Sequence, residues 1–69
     1  MFRSDVNLSD RQSQVLYWLA QGLTSQEIGE KLYLSAATVK NYRFQLLEAL
    51  GARNAAEAVH RAHELGILR

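Results

Sequence analysis

Within six positions this sequence carries Lys40, Asn41 and Gln45, with Phe44 set among them. These are residue types that can read the edge of a base pair. An asparagine or glutamine amide pairs with adenine through two hydrogen bonds, a lysine reaches guanine acceptors or phosphate, and an apolar group meets the thymine methyl. To act together they must share one face of one element. The stretch "TVKNYRFQLLEAL", residues 38 to 50, supplies that face as a helix. At a helical step per residue, Leu46 and Leu50 fall within about 20° of Val39 and turn inward, with Tyr42 and Arg43 flanking the stripe. Ala37, Lys40, Asn41, Phe44, Gln45 and Glu48 are left outside, and Ala37 near the helix start lets the backbone approach a partner closely. A second reading of Phe44 is a contact for another protein, or a singly exposed aromatic without a role.

Charge supports a polyanionic partner locally, although not in total. Eight Lys and Arg stand against seven Asp and Glu, a net charge of +1. Bulk charge says little when the signs are segregated. From Lys31 to Gln45 there are three basic residues (Lys31, Lys40 and Arg43) and no acidic one.

Four apolar-periodic segments must position these residues, and each carries start and stop signals. Ser9 with Gln12, Thr24 with Glu27, and Asn54 with Glu57 have the spacing of capping boxes, in which side chain and backbone satisfy each other's orphan amides. Asp10 adds negative charge in the first turn, where the helix dipole favours it. Ser35 can cap the third helix, which should run to about Leu50. Gly22, Gly51 and Gly66 stand where left-handed terminators belong. The inward residues are expected to be Val15, Leu16 and Leu19 beside Trp18 in the first helix, and Ile28 and Leu32 in the second. In the fourth they are Ala58, Val59, Ala62 and Leu65. There is no sustained alternation and no hairpin dipeptide, so strands find no support. The expected fold is all-α: a four-helix domain over residues 8–69, preceded by a flexible segment over 1–7.

Only Tyr33, Leu34 and the cap Ser35 join the second and third helices, so these must cross steeply, as in a helix-turn-helix unit. Leu34 should plug the corner. Gly29 costs about 1 kcal/mol relative to alanine inside a helix, which asks for a packing reason, and close approach of the chains supplies one. Any short helical hairpin would show similar residues.

At 69 residues the chain is one small domain. It has no cysteine, which excludes disulfides and thiolate metal sites. No apolar run approaches the roughly 20 residues needed to cross a bilayer, and MFRSDVN lacks a signal-peptide core. A cytoplasmic chain with no membrane partner is expected.

Three stretches together resemble the LuxR/FixJ (NarL-like) class of helix-turn-helix domains, found in bacterial transcription factors and response regulators. They are L-A-Q-G-L-T-S-Q-E-I at 19–28, L-S-A-A-T-V-K-N at 34–41, and L-G-A-R-N at 50–54. The resemblance runs over residues 8–59, with "LGIL" at 65–68. It implies a third helix that enters the major groove, with Lys40 and Asn41 at base and phosphate contacts; the outward face of that helix adds Phe44 and Ala37 to the expected base contacts. By the same resemblance Thr24, Ser25, Gln26, Ser35 and Thr38 would lie along the DNA backbone, where Arg43 and Gln45 are also expected. It also implies a homodimer through the fourth helix, for which Ala56, His60 and His63 are the expected contact residues; RNA polymerase is expected as a further partner. The chain departs from the family's usual residues at Tyr42 (histidine), Gly29 (alanine), Gln14 (acidic) and Phe44 (basic or polar). The family's alanine leads to the expectation that Gly29→Ala leaves folding intact or raises the melting temperature.

No nucleophile pairs with a base and no glycine-rich phosphate loop exists, so no catalytic residue and no cofactor is expected. His60 and His63, with Glu57 and Glu64 nearby, have ligand types, but such histidines more often sit on a solvated or subunit-contacting face, and no metal is assigned. The rival to sequence-specific binding of double-stranded DNA is a helix-turn-helix module that docks a protein, a transcription factor or RNA polymerase, instead.

Overall fold

A computed structural model of the chain describes residues 7–68. The expected flexible segment over 1–7 therefore lies, except for Asn7, outside the described residues. Four helices follow in order: α1 (Asp10–Ala20), α2 (Ser25–Leu32), α3 (Ala36–Leu50) and α4 (Ala55–Glu64). No strand is present among the described residues.

The starts behave as the spacing predicts, with one variation. The Ser9 hydroxyl accepts from the Gln12 amide at 3.1 Å while Gln12 Oε1 accepts from the Ser9 amide at 2.9 Å, a complete capping box. Thr24 and Glu27 form the same reciprocal pair at 3.1 and 2.8 Å. At α4 the Asn54 side chain accepts from the Glu57 amide at 2.8 Å, but Glu57 reaches past the cap to the Arg53 amide at 2.7 Å. The Arg53 amide, with the Arg53 guanidinium after it, holds the Glu57 carboxyl below the usual carboxylate range.

All four helices end in one way. A left-handed residue reverses the chain, and the next residue donates its amide back to a carbonyl in the last turn: Leu23 to Trp18, Leu34 to Gly29, Ala52 to Leu47 and Ile67 to Ala62. Each of those donors lays its side chain on the core. Three of the reversing residues are glycines; the fourth is Tyr33, at φ 59°.

This termination corrects the expectation for Leu65. The helix stops at Glu64, and Leu65 is left 39% exposed. Gly66 turns the chain, so that Ile67 and Leu68 pack on the core where Leu65 was expected.

The core is Val15, Leu16, Ile28, Val39, Leu46, Leu50, Ala58 and Ala62. α3 contributes Val39, Leu46 and Leu50 and packs against each of the other three helices. Two alanines one turn apart, Ala58 and Ala62, are fully buried, and their small size lets α4 sit close to α1 and α3. With one side of α3 committed to the interior, the other is turned outward.

Gly29 is buried against the turn, as the close-approach argument requires. The contact is tighter than a methyl allows, since a Cβ there would overlap the carbonyl oxygen of Leu34. The expectation that alanine is harmless at this position is therefore overturned. The obstacle is backbone, not a flexible side-chain tip.

Candidate nucleic-acid interface

The outward side of α3 holds every residue that the periodicity sends there. Ala37, Lys40, Asn41, Phe44, Gln45 and Glu48 are all exposed. Phe44 is 63% exposed, an apolar ring standing among polar neighbours. Val39 and Leu46 on the opposite side are fully buried, so the rotation of the helix leaves no alternative presentation.

Electrostatics reinforce the arrangement. Among the described residues Arg53 and Glu57 form an ion pair at 3.4 Å, and His60 Nε2 lies 3.4 Å from a Glu64 carboxylate oxygen. Neither involves Lys31, Lys40 or Arg43. Lys31 instead places its ammonium 5.1 Å from the Trp18 ring centroid, an attraction that leaves its charge uncompensated. Trp18 is edge-on to Tyr17.

The start of α3 is held by Ser35, which accepts from the Thr38 amide and donates its hydroxyl to Thr38 Oγ1 at 2.9 Å. Ser35 is exposed and Thr38 half-buried. At the start of α2, Thr24 and Gln26 are exposed, while Glu27 occupies the Thr24 amide and puts a carboxylate near that helix end. Ser25 is only 6% exposed, and its hydroxyl accepts from Arg43 at 2.7 Å. Arg43 thus ties the middle of α3 to the first residue of α2 across the helix-turn-helix. Gln45 is tied as well, its carbonyl oxygen accepting from the Gln12 amide group of α1 at 2.8 Å.

The structure therefore brings Lys40, Asn41, Phe44, Ala37 and Gln45 together on one exposed face, with Ser35, Thr38, Thr24 and Gln26 at the two helix starts. It engages Ser25 and Arg43 with each other inside the domain. On α4, Ala56, His60 and His63 are exposed. His63 borders a cleft with Tyr17, Ala20, Gln21, Ile67 and Leu68. Among the described residues no three metal-ligating side chains converge, and no helix is long and apolar enough to cross a membrane.

Sequence reasoning missed the two cross-helix ties and the cation on Trp18. Partners 18 and 33 residues apart leave no local periodicity to read. The one signal available was the place of Arg43 beside the inward stripe of α3, where a charged side chain needs a partner.

Comparisons with known proteins agree on one group. A family model described as bacterial regulatory proteins of the LuxR family matches residues 6–62. Among similar proteins, the transcriptional regulatory protein DesR of Bacillus subtilis is 39% identical over 59 residues, covering 86% of this chain and 30% of that protein. The transcriptional activator protein PhzR of Pseudomonas fluorescens is 37% identical over 67 residues, covering 97% of this chain and 28% of that protein. The DNA-binding transcriptional activator DevR/DosR of Mycobacterium tuberculosis is 38% identical over 58 residues, covering 84% of this chain and 27% of that protein. The chain thus spans about a third or less of the length of these relatives. A solved structure of the Vibrio cholerae VqmA dimer, described with LuxR-type receptors, superposes with a TM-score of 0.87 at 27% identity, covering 97% of this chain and 30% of that one. The chain belongs to the LuxR family of bacterial regulatory proteins, and its four helices are that family's helix-turn-helix domain.

Proposed function

We propose that this domain binds double-stranded DNA sequence-specifically, with α3 in the major groove, as the DNA-binding part of a transcriptional regulator. The observation that carries this is the exposed face of α3, where Lys40, Asn41, Phe44 and Ala37 stand together with no carboxylate between them. Lys40 supplies charge to guanine or phosphate, Asn41 has the two-point geometry for adenine, and Phe44 meets a thymine methyl or sugar edge. Thr24, Gln26, Ser35, Thr38 and Gln45 lie along the phosphates. Ser25 and Arg43 act there mainly by bracing α2 against α3, since their side chains satisfy each other. The relatives named as transcriptional regulators and a DNA-binding activator support the assignment.

Ala56, His60 and His63 on α4 are the surface for pairing with a second copy, which sets two half-sites about one helical turn, roughly 34–36 Å, apart. RNA polymerase is a second partner, and the site of action is the cytoplasm. Selection from random duplexes tests the whole assignment: a motif should be enriched, and its affinity should fall by orders of magnitude from low to moderate salt. A protein-docking module is the second reading, favoured by the exposure of Phe44. It would show no enriched motif and little salt dependence.

A further inference from the structure

Gln45 stands on the exposed side of α3 with a dipole whose direction decides what it can recognise. A free glutamine amide both donates and accepts, and its oxygen and nitrogen are interchangeable by a simple flip. Here the flip is forbidden by a chain of hydrogen bonds. The Ser9 backbone N–H can only donate, so the Gln12 atom that meets it at 2.9 Å must be the carbonyl Oε1. The other end of the Gln12 amide is then the Nε2 donor, which points at Gln45 at 2.8 Å. Gln45 must answer with its own Oε1. Its remaining group is an –NH2 donor.

We propose that Gln12 is a positioning residue that turns the Gln45 amide so that its –NH2 faces outward, where it holds a DNA phosphate oxygen. This inference rests on the DNA-binding assignment above. The amide oxygen is turned toward Gln12, which leaves the –NH2 as the group presented outward. The remaining donor suits an acceptor-only partner, and a phosphate oxygen is one. Position along the helix agrees. Gln45 is eight residues beyond Ala37, about 12 Å along the axis. The major groove is about 12 Å wide, so a helix whose first turns face the base edges brings this residue to the sugar–phosphate wall. The starting point of the chain, the Ser9–Gln12 capping box, belongs to α1 and is itself closed at both ends. The N-terminus of α1 and the DNA-facing side of α3 are thereby one hydrogen-bonded unit.

The test is a binding cycle on the full chain with the duplex enriched by selection. Gln45→Met keeps the length and removes the donor; affinity should fall roughly tenfold on matched and mismatched duplexes alike. Gln12→Glu keeps the capping box but can no longer donate, so Gln45 turns its –NH2 inward and presents oxygen to the phosphate. Its affinity should fall at least as far, with the melting temperature unchanged. The coupling is decisive. Through Gln45, the loss from Gln12→Glu should largely vanish in the Gln45→Met background, whereas plain repulsion by the new charge persists in both. An equal loss in both backgrounds overturns the proposal, as does an unchanged affinity for Gln45→Met or a loss confined to one base pair. Failure of the wild-type chain to bind any duplex would refute the DNA assignment itself, and is distinguished by that control.

Discussion

Gly29→Ala sets two opposed terms against each other at one position. Alanine stabilises a helix by about 1 kcal/mol relative to glycine. Against this stands the new Cβ, which would overlap the Leu34 carbonyl oxygen. Overpacking costs typically 1–3 kcal/mol, depending on how readily the neighbour yields. Here the neighbour is held on several sides. The Leu34 amide donates to the Gly29 carbonyl at 2.8 Å, the Leu34 side chain lies on the core, and the next residue is Ser35, the N-cap of α3. Relief requires moving the turn, which opens that bond or shifts the start of α3. The cost therefore belongs in the upper half of the range, and the net effect is a destabilisation of about 1–2 kcal/mol. For a domain of this size that lowers the melting temperature by roughly 4–15 °C. Thermal unfolding followed by circular dichroism, with chemical denaturation as a second measure, reads it directly. A melting temperature equal to or above that of the wild type would refute the reasoning, by showing that the turn opens freely and helix propensity wins.

Tyr33 occupies a left-handed place that glycine fills at the other three helix ends, and its side chain is 94% exposed, with little packing to lose. The left-handed conformation costs an L-residue about 1–2 kcal/mol, partly offset by the greater unfolded-state freedom of glycine, so Tyr33→Gly should stabilise by about 0.5–1 kcal/mol; a destabilised variant in denaturant titration would show that the ring packs on something. Lys40→Ala should weaken binding on every duplex and reduce the salt slope by about 1, a result contradicted by an unchanged slope in salt-dependent titrations. Asn41→Ala should lose about 1–3 kcal/mol at a single base position, read by comparing duplexes substituted one base pair at a time; uniform weakening would remove its base-reading role. Because the folded state lowers the Glu57 pKa, its contribution to stability is complete above the unfolded value and lost as pH falls through the lower folded one. Glu57→Gln should therefore be less stable than the wild type at neutral pH, with the difference closing below about pH 4 in melting curves.

Some properties of this protein were determined by the sequence alone, because the physics that sets them is local. Ser9–Gln12, Thr24–Glu27 and Ser35 mark helix starts through bonds that span three residues, and Gly22, Gly51 and Gly66 mark ends through one backbone conformation. The rotation of α3 follows from Val39, Leu46 and Leu50 recurring at the helical period, which is why the outward set from Ala37 to Gln45 was readable. Tertiary structure decided what happens between elements. It turned Leu65 outward by ending α4 one residue earlier and folding Ile67 and Leu68 onto the core. It reversed the sign expected for alanine at Gly29, because the clash is with a carbonyl five residues away whose position depends on how α3 docks. Arg43 met Ser25, and Gln12 met Gln45, across gaps that no periodicity spans. A helix reports its own faces through its own residues, but which polar atoms those faces bring within 3 Å is known only once the helices have packed.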